Sequence, residues 1–166
     1  MTASNTVEVA AFIDSALQYE ASWQRAEQHA AAYGDALDYY GSSVGAVRGT
    51  LRDASRRYPG MTHDDVTALS SELWSVAVYE RRLAAVVLLQ SNVAILIASD
   101  LTRLEGFVRT AGVDDLVDRL GSDVIVPLLE SLDARGLARA HTVIARWETE
   151  PSASLQRVAR LLAGAS

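Results

Sequence analysis

The sequence predicts an all-α protein, and three observations carry that prediction. Apolar residues recur at spacings of three and four in nearly every segment, strand-like alternation is absent, and turn residues fall roughly every ten to twenty residues. Short helices joined by short turns favour stacked antiparallel helix pairs, an α-solenoid (alpha-alpha superhelix), over a closed four-helix bundle. A chain of 166 residues can bury its own core, so we expect a single domain over residues 1–166.

The first half of the chain predicts five helices, and local signals mark their ends. The predicted ranges are 7–19, 23–33, 44–57, 62–74 and 78–90. Gly34 is a typical residue just beyond a helix C-terminus, and Ser43 can cap the third helix. Pro59 ends that helix, and Thr62 caps the next. The fifth helix is apolar on almost every side after its first turn, which predicts that it lies in the interior.

The second half opens with a break at residues 91–92, followed by a short apolar piece. Helices are then predicted over residues 101–110, 113–132, 137–147 and 154–162. Ser99 and Asp100 form a capping pair for the first of these helices. Gly121 and Pro127 indicate an irregularity within the second.

Composition argues against several classes of function. The chain has no cysteine, and therefore no disulfide, thiolate nucleophile or cysteine-containing zinc site, which suits a cytoplasmic protein. His29, His63 and His141 lie far apart and match no metal-binding spacing, and no nucleotide or cofactor motif is present. The N-terminus is acidic, unlike a targeting segment, and the apolar run 83–98 is interrupted at residues 90–92. We therefore expect no cofactor and no membrane span.

Charge is unevenly distributed along the chain. The net charge of −6 argues against a protein that binds nucleic acid through an overall positive charge. Residues 1–47 hold one arginine against six acids, a balance of −5, whereas the rest holds 14 arginines against 15 acids. Arg48, Arg52 and Arg56 recur at four-residue intervals on the third helix, with Arg57 beside them. This stripe is either a phosphate-contacting surface or a solvated face paired with acids of a neighbouring helix.

Three carboxylates lie around the start of the helix that follows Gly112. Asp114 and Asp115 complement the positive end of the helix dipole. Asp118 lies one turn further on and shares a face with Asp114, where like charges repel by about 0.2–0.5 kcal/mol. Spacing alone favours a solvated carboxylate on an exposed face, and the alternative is that Asp118 is a site residue.

Three blocks of residues have a familiar order and spacing. They are Tyr39-Tyr40-Gly41 with Arg48, then Glu72-Leu73-Trp74 with Glu80 and the apolar run from Leu83, then Leu104-Glu105 with Val117-Asp118. A weaker fourth block is Trp147 ten residues before Arg157. Together, from about Phe12 to Leu162, they resemble the DNA alkylation repair family, the alkylpurine DNA glycosylases built of HEAT-like helical repeats.

The resemblance implies a single HEAT-like repeat domain that binds double-stranded DNA, alkylated or structured, without a cofactor. Asp118 falls at the family's catalytic aspartate. The implied DNA contacts are Arg48, Arg81, Arg82 and Arg157, and the implied aromatic residues of the concave cleft are Tyr33, Tyr40 and Trp147. An N3- or N7-alkylated purine is cationic and leaves readily, so the reaction chiefly needs a carboxylate that stabilises positive charge on the deoxyribose and positions water.

The sequence departs from the family pattern at two places. Val113 and Asp114 stand where the family has a pair of tryptophans, and the chain stops after the helix of Arg157, which implies a shortened C-terminal end. These departures keep alternatives open: a non-catalytic protein that binds DNA structure, or a helical-repeat scaffold that binds protein. A shortened chain that forms a homodimer is a further alternative.

Overall fold

The computed structural model describes residues 3–164, and α-helix dominates them. The helices are α1 (Ala3–Tyr19), α2 (Trp23–Tyr33), α3 (Val44–Arg57), α4 (His63–Trp74), α5 (Tyr79–Ser91), α6 (Leu101–Thr110), α7 (Asp114–Arg119), α8 (Val126–Ser131), α9 (Ala134–Trp147) and α10 (Ala153–Gly164). These residues form no β-strand, although one isolated bridge joins Asp38 and Val78. The all-α helical-repeat prediction is confirmed.

Most helix ends fall where the local signals predicted them. Helices α2, α3 and α6 have the predicted bounds, and a π-helical segment, Leu120–Ile125, joins α7 to α8 at the irregularity expected around Gly121. Helix α9 begins earlier than predicted, at Ala134. Asp133 caps it by accepting a 2.7 Å hydrogen bond from the Gly136 backbone N–H, which places Gly136 in the first turn.

The predicted break at residues 91–92 is a boundary in the structure. Two short 3₁₀ turns, Val93–Ile95 and Ala98–Asp100, replace a helix there. Internal contacts group the residues up to Ser91 into one compact unit and those from Asn92 onward into another. The single-domain organisation remains a prediction.

Helix α5 forms the centre of the first unit. Every residue from Tyr79 to Leu89 is buried, as its all-round apolar pattern predicted, and α5 packs against α1, α3 and α4. Burial of a large apolar side chain stabilises a fold by about 1.5–3 kcal/mol, so the row from Leu83 to Leu89 is a major source of stability.

A buried carboxylate fixes the loop that precedes α3. Glu80 is fully buried and accepts hydrogen bonds from the backbone N–H groups of Tyr40 (3.0 Å) and Gly41 (2.8 Å). Gly41 has φ +80°, and a Cβ there would lie 2.0 Å from the Ser22 carbonyl oxygen. The Arg25 guanidinium donates to the Gly41 carbonyl at 2.6 Å, so the start of α2 lies directly on this loop.

Helix α10 completes the core of the second unit. Its buried residues pack against α6, α7, α9 and the π-helical segment; they are Leu155, Val158, Ala159 and Leu162. Trp147, at the end of α9, is 1% exposed and donates its indole N–H to Glu105 at 3.0 Å. The same carboxylate accepts from Arg109, which also pairs with Glu150. This network ties α6 to the end of α9.

We predict that Gly41→Ala destabilises the protein far more than Gly60→Ala. Both glycines have positive φ, but the space around the Gly60 Cα is open, whereas a Gly41 side chain would collide with backbone. Chemical denaturation should show a loss of about 1 kcal/mol for Gly60→Ala and about 3 kcal/mol or more for Gly41→Ala. Equal losses would contradict the close approach of α2 to this loop.

Candidate active site

A single guanidinium holds two carboxylates together at the surface of the second unit. Arg157 of α10 donates from Nε to Asp118 Oδ1 (2.5 Å) and from Nη2 to Asp118 Oδ2 (2.7 Å), a two-pronged contact. Its Nη1 donates to Asp114 Oδ2 at 2.9 Å. Residues that are about forty positions apart in sequence are thus joined, and the predicted catalytic aspartate lies beside the predicted cleft arginine.

Apolar residues beneath the surface set this geometry. On α7, Leu116 and Val117 are buried, so Asp114 and Asp118 emerge together on the outer face. On α10, Leu155 and Val158 are buried and leave Arg157 facing outward. Packing of the two helices therefore positions the charges.

The electrostatics keep Asp118 ionised. Hydrogen bonds from Arg157 hold the pKa of the Asp118 carboxyl below its usual range, and the same pair raises the pKa of Arg157. The side chain of Asp118 is 43% exposed and that of Arg157 is 40% exposed, so both can reach a ligand from solvent. With Asp114 included, the group carries two negative charges and one positive charge, which favours an additional cation.

The predicted basic stripe lines a groove in the first unit. Arg48, Arg52 and Arg56 are exposed on α3 and face Gln90 near the end of α5 across a groove of about 390 Å³. Arg56 lies 3.5 Å from Asp53, whereas Arg48 and Arg52 make no ion pair with any residue in the described range 3–164. These two side chains remain available to an external anion.

Arg81 and Arg82 are not placed to bind phosphate, which corrects the sequence interpretation. Both are about 9% exposed. Arg81 donates to the carbonyls of Glu72 and Leu73 and pairs with Asp14 at 3.2 Å. Arg82 donates to the Trp74 carbonyl, and burial lowers its pKa. The two guanidiniums satisfy the last carbonyls of α4, where a helix favours positive charge.

The three predicted cleft aromatics occupy different environments. Tyr33 is half-buried and stacks on Tyr79 with ring centroids 5.1 Å apart. Tyr40 donates its hydroxyl to Asp14 at 2.8 Å, and burial together with that carboxylate raises the pKa of Tyr40 to about 12. Trp147 is a core residue, so its ring has no free face for a nucleotide, which corrects its assignment to the cleft. Tyr33 and Tyr40 remain predicted contacts.

Sequence reasoning missed the second partner of Arg157. Asp114 was assigned to the helix dipole, yet its side chain binds the arginine. Its four-residue spacing from Asp118 was a local signal, but the guanidinium that relieves the repulsion comes from a distant helix. Within residues 3–164, no cluster of three histidine, aspartate or glutamate side chains could hold a metal ion, and no helix of that range is long and apolar enough to cross a membrane.

We predict that Arg157→Gln raises the pKa of Asp118 toward that of an ordinary aspartate. The lowered pKa means that the pair stabilises the folded state at neutral pH, and that this contribution is lost as pH falls through the lowered value. Carboxyl-carbon NMR titration measures the shift. Glu105, whose pKa is lowered chiefly by Arg109, is the internal control and should keep its value. An unchanged Asp118 titration would contradict the pairing in solution.

Comparison with known proteins identifies the family. No curated protein matches the chain. A family model described as DNA alkylation repair enzyme matches residues 13–163, a range that includes both Asp118 and Arg157. The chain therefore belongs to the DNA alkylation repair enzyme family.

Proposed function

We propose that this protein is a DNA glycosylase that removes N3- or N7-alkylated purines from double-stranded DNA, with Asp118 as the catalytic carboxylate. The observation that supports this most directly is the ionised Asp118–Arg157 pair within the region matched by the family. An exposed carboxylate that is held charged suits the electrostatic stabilisation of a cationic transition state.

The proposed reaction needs little acid catalysis. Alkylation at N3 or N7 makes the purine cationic, so its bond to C1′ breaks with both electrons leaving on the base. The deoxyribose acquires oxocarbenium character, which the Asp118 carboxylate stabilises while it orients water. Water then adds at C1′ and releases a proton, giving the free base and an abasic sugar. Asp118 must be ionised throughout, as its lowered pKa favours.

Arg157 is proposed to exchange partners when DNA binds. In the protein alone, both oxygens of Asp118 accept hydrogen bonds from Arg157. A phosphate next to the alkylated base can accept bidentate hydrogen bonds from the guanidinium and so competes with the Asp118 carboxylate. Transfer of Arg157 from carboxylate to phosphate frees Asp118 for the sugar. Asp114, which is 73% exposed and bound through Nη1 alone, is the first contact to be displaced.

Arg48 and Arg52 are proposed as phosphate contacts outside the reaction site. Both are exposed arginines without an ion pair in the described part of the chain, and they are one turn apart. Contacts of this kind contribute affinity that is independent of base sequence and falls as salt rises.

A non-catalytic DNA-structure-binding protein is the second candidate. Val113, which stands at one of the family's tryptophan positions, is buried and apolar, so it offers no ring to a cationic base. Asp118 would then serve only to orient Arg157. DNA binding without base release distinguishes this candidate from the glycosylase.

We expect the wild-type protein to release N7-methylguanine from duplex DNA, and Asp118→Asn to reduce the rate by about a hundredfold or more, because the neutral amide cannot stabilise the sugar cation. Asp115→Asn is the matched control, since Asp115 pairs with Arg119 on the same helix. Chromatography of the released base gives the rate, and circular dichroism verifies folding. Equal rates in wild type and Asp118→Asn would disprove the role of Asp118, and an inert wild type that binds DNA would favour the second candidate.

We also expect Arg48→Gln/Arg52→Gln to weaken duplex binding and to reduce its salt dependence. Each lost phosphate contact should lower the slope of log K against log salt by about 0.9. The matched control is Arg135→Gln/Arg139→Gln, an exposed pair at the same spacing on α9. Fluorescence anisotropy over a salt series measures both slopes. Equal losses in the two variants would show that general charge, and not this groove, binds DNA. Absence of wild-type binding at low salt would favour a protein-binding scaffold.

A further inference from the structure

Helix α2 presents a face that nothing in the first unit covers. No residue of this helix, all of which the structure describes, is buried. The helix is held from one side by Arg25, which donates to Gly41, and by Tyr33, which stacks on Tyr79. Trp23 and Glu27 emerge on the other side, and Trp23 is 77% exposed. An exposed tryptophan offers a large apolar contact area with a polar N–H to another surface.

The uncovered face borders a groove with an apolar floor. The groove has a volume of about 340 Å³ and lies between α2 and the segment that follows it. Ala26, Ala30 and Leu37 line its base, and the Trp23 ring lines one side. Small residues at the base let an incoming side chain approach the backbone, and the indole offers a large rigid contact area.

The rim of the groove is acidic and has no compensating cation. Glu27, Asp35 and Asp38 line it, and none of them pairs with a basic side chain in residues 3–164. Arg25, the only arginine in a stretch of 47 residues that has no lysine, donates to the Gly41 carbonyl instead. The balance of −5 over residues 1–47 adds to the local negative field. A nucleic-acid strand is repelled from such a surface, whereas a cationic segment is attracted.

We propose that this groove docks an arginine- or lysine-rich segment of another protein, with one apolar side chain seated beside Trp23. Charge complementarity selects the basic segment, because three uncompensated carboxylates surround the apolar floor. The exposed indole supplies the central contact, since tryptophan is over-represented among residues that dominate binding energy. The docking surface is separate from the Arg48–Arg52 groove, so the partner and DNA can bind together.

The test uses a short fluorescein-labelled peptide in which arginines flank a pair of leucines. Two control peptides carry glutamates in place of the arginines, or serines in place of the leucines. We expect the arginine–leucine peptide to bind the full chain, as measured by fluorescence anisotropy, and each control peptide to bind at least about tenfold more weakly.

Protein variants locate the binding surface. Trp23→Ala, and separately Glu27→Gln/Asp35→Asn/Asp38→Asn, should each weaken binding by about tenfold. The matched controls should leave it unchanged: Tyr19→Ala removes another exposed ring, and Glu20→Gln/Glu130→Gln/Glu148→Gln removes three exposed carboxylates elsewhere. Equal loss in the control triple would show that net charge is responsible and would overturn the proposal.

Two further results would also overturn it. If duplex DNA displaces the peptide at a salt concentration at which DNA does not bind the free peptide, the groove belongs to the nucleic-acid surface. If sedimentation shows a wild-type dimer that Trp23→Ala dissociates, a second copy of this chain occupies the face. A monomer that binds peptide and DNA simultaneously supports the proposal whether or not the protein excises bases, so this outcome is independent of the proposed glycosylase activity.

Discussion

The candidate site depends on one guanidinium shared between two carboxylates. Exposed ion pairs contribute only about 0.2–1 kcal/mol each, so the bonds of Arg157 to Asp114 and Asp118 add little to the stability of the fold. The apolar residues beneath them, including Leu116 and Leu155, contribute about 1.5–3 kcal/mol each. Packing of the apolar core therefore fixes the positions of these charged side chains, although the interaction between the charges is itself weak. This weak pair, held in place by the core, is compatible with the proposed transfer of Arg157 to a phosphate.

Burial, rather than residue type, separates the two roles of arginine in the first unit. Arg81 and Arg82 lie on a helix that is buried all round, and their guanidiniums satisfy the carbonyls at the end of α4. Arg48 and Arg52 lie on a helix with one exposed face, and solvent reaches them. In sequence all four are arginines on helices. The distinguishing signal was the apolar run after Arg82, which predicts an interior helix and therefore internal partners for any charge on it.

Local signals predicted the helices well because caps and turn residues act over a few positions. Thr62 and Ser43 cap as expected, and α3 ends just before Pro59. Contacts between residues that lie far apart in the sequence were harder to predict. The family resemblance implies that Arg157 lies in the same cleft as Asp118, but it predicts neither their ion pair nor the contact with Asp114. Trp147 is predicted to line the cleft, because nothing nearby in sequence reveals that Glu105 accepts its indole N–H.

The net charge of −6 conceals two surfaces of opposite sign within the first unit. Screening at physiological salt limits electrostatic influence to about 8 Å, so a ligand responds to the charges around its own contact and much less to the sum over the chain. The acids on and after α2 are therefore compatible with the proposed anion binding by the arginines of α3. In the proposed docking, these acids favour a cationic partner over DNA at the α2 surface. An acidic protein can in this way contact phosphate on one helix and a cationic polypeptide on another, because each contact is governed by its local charges.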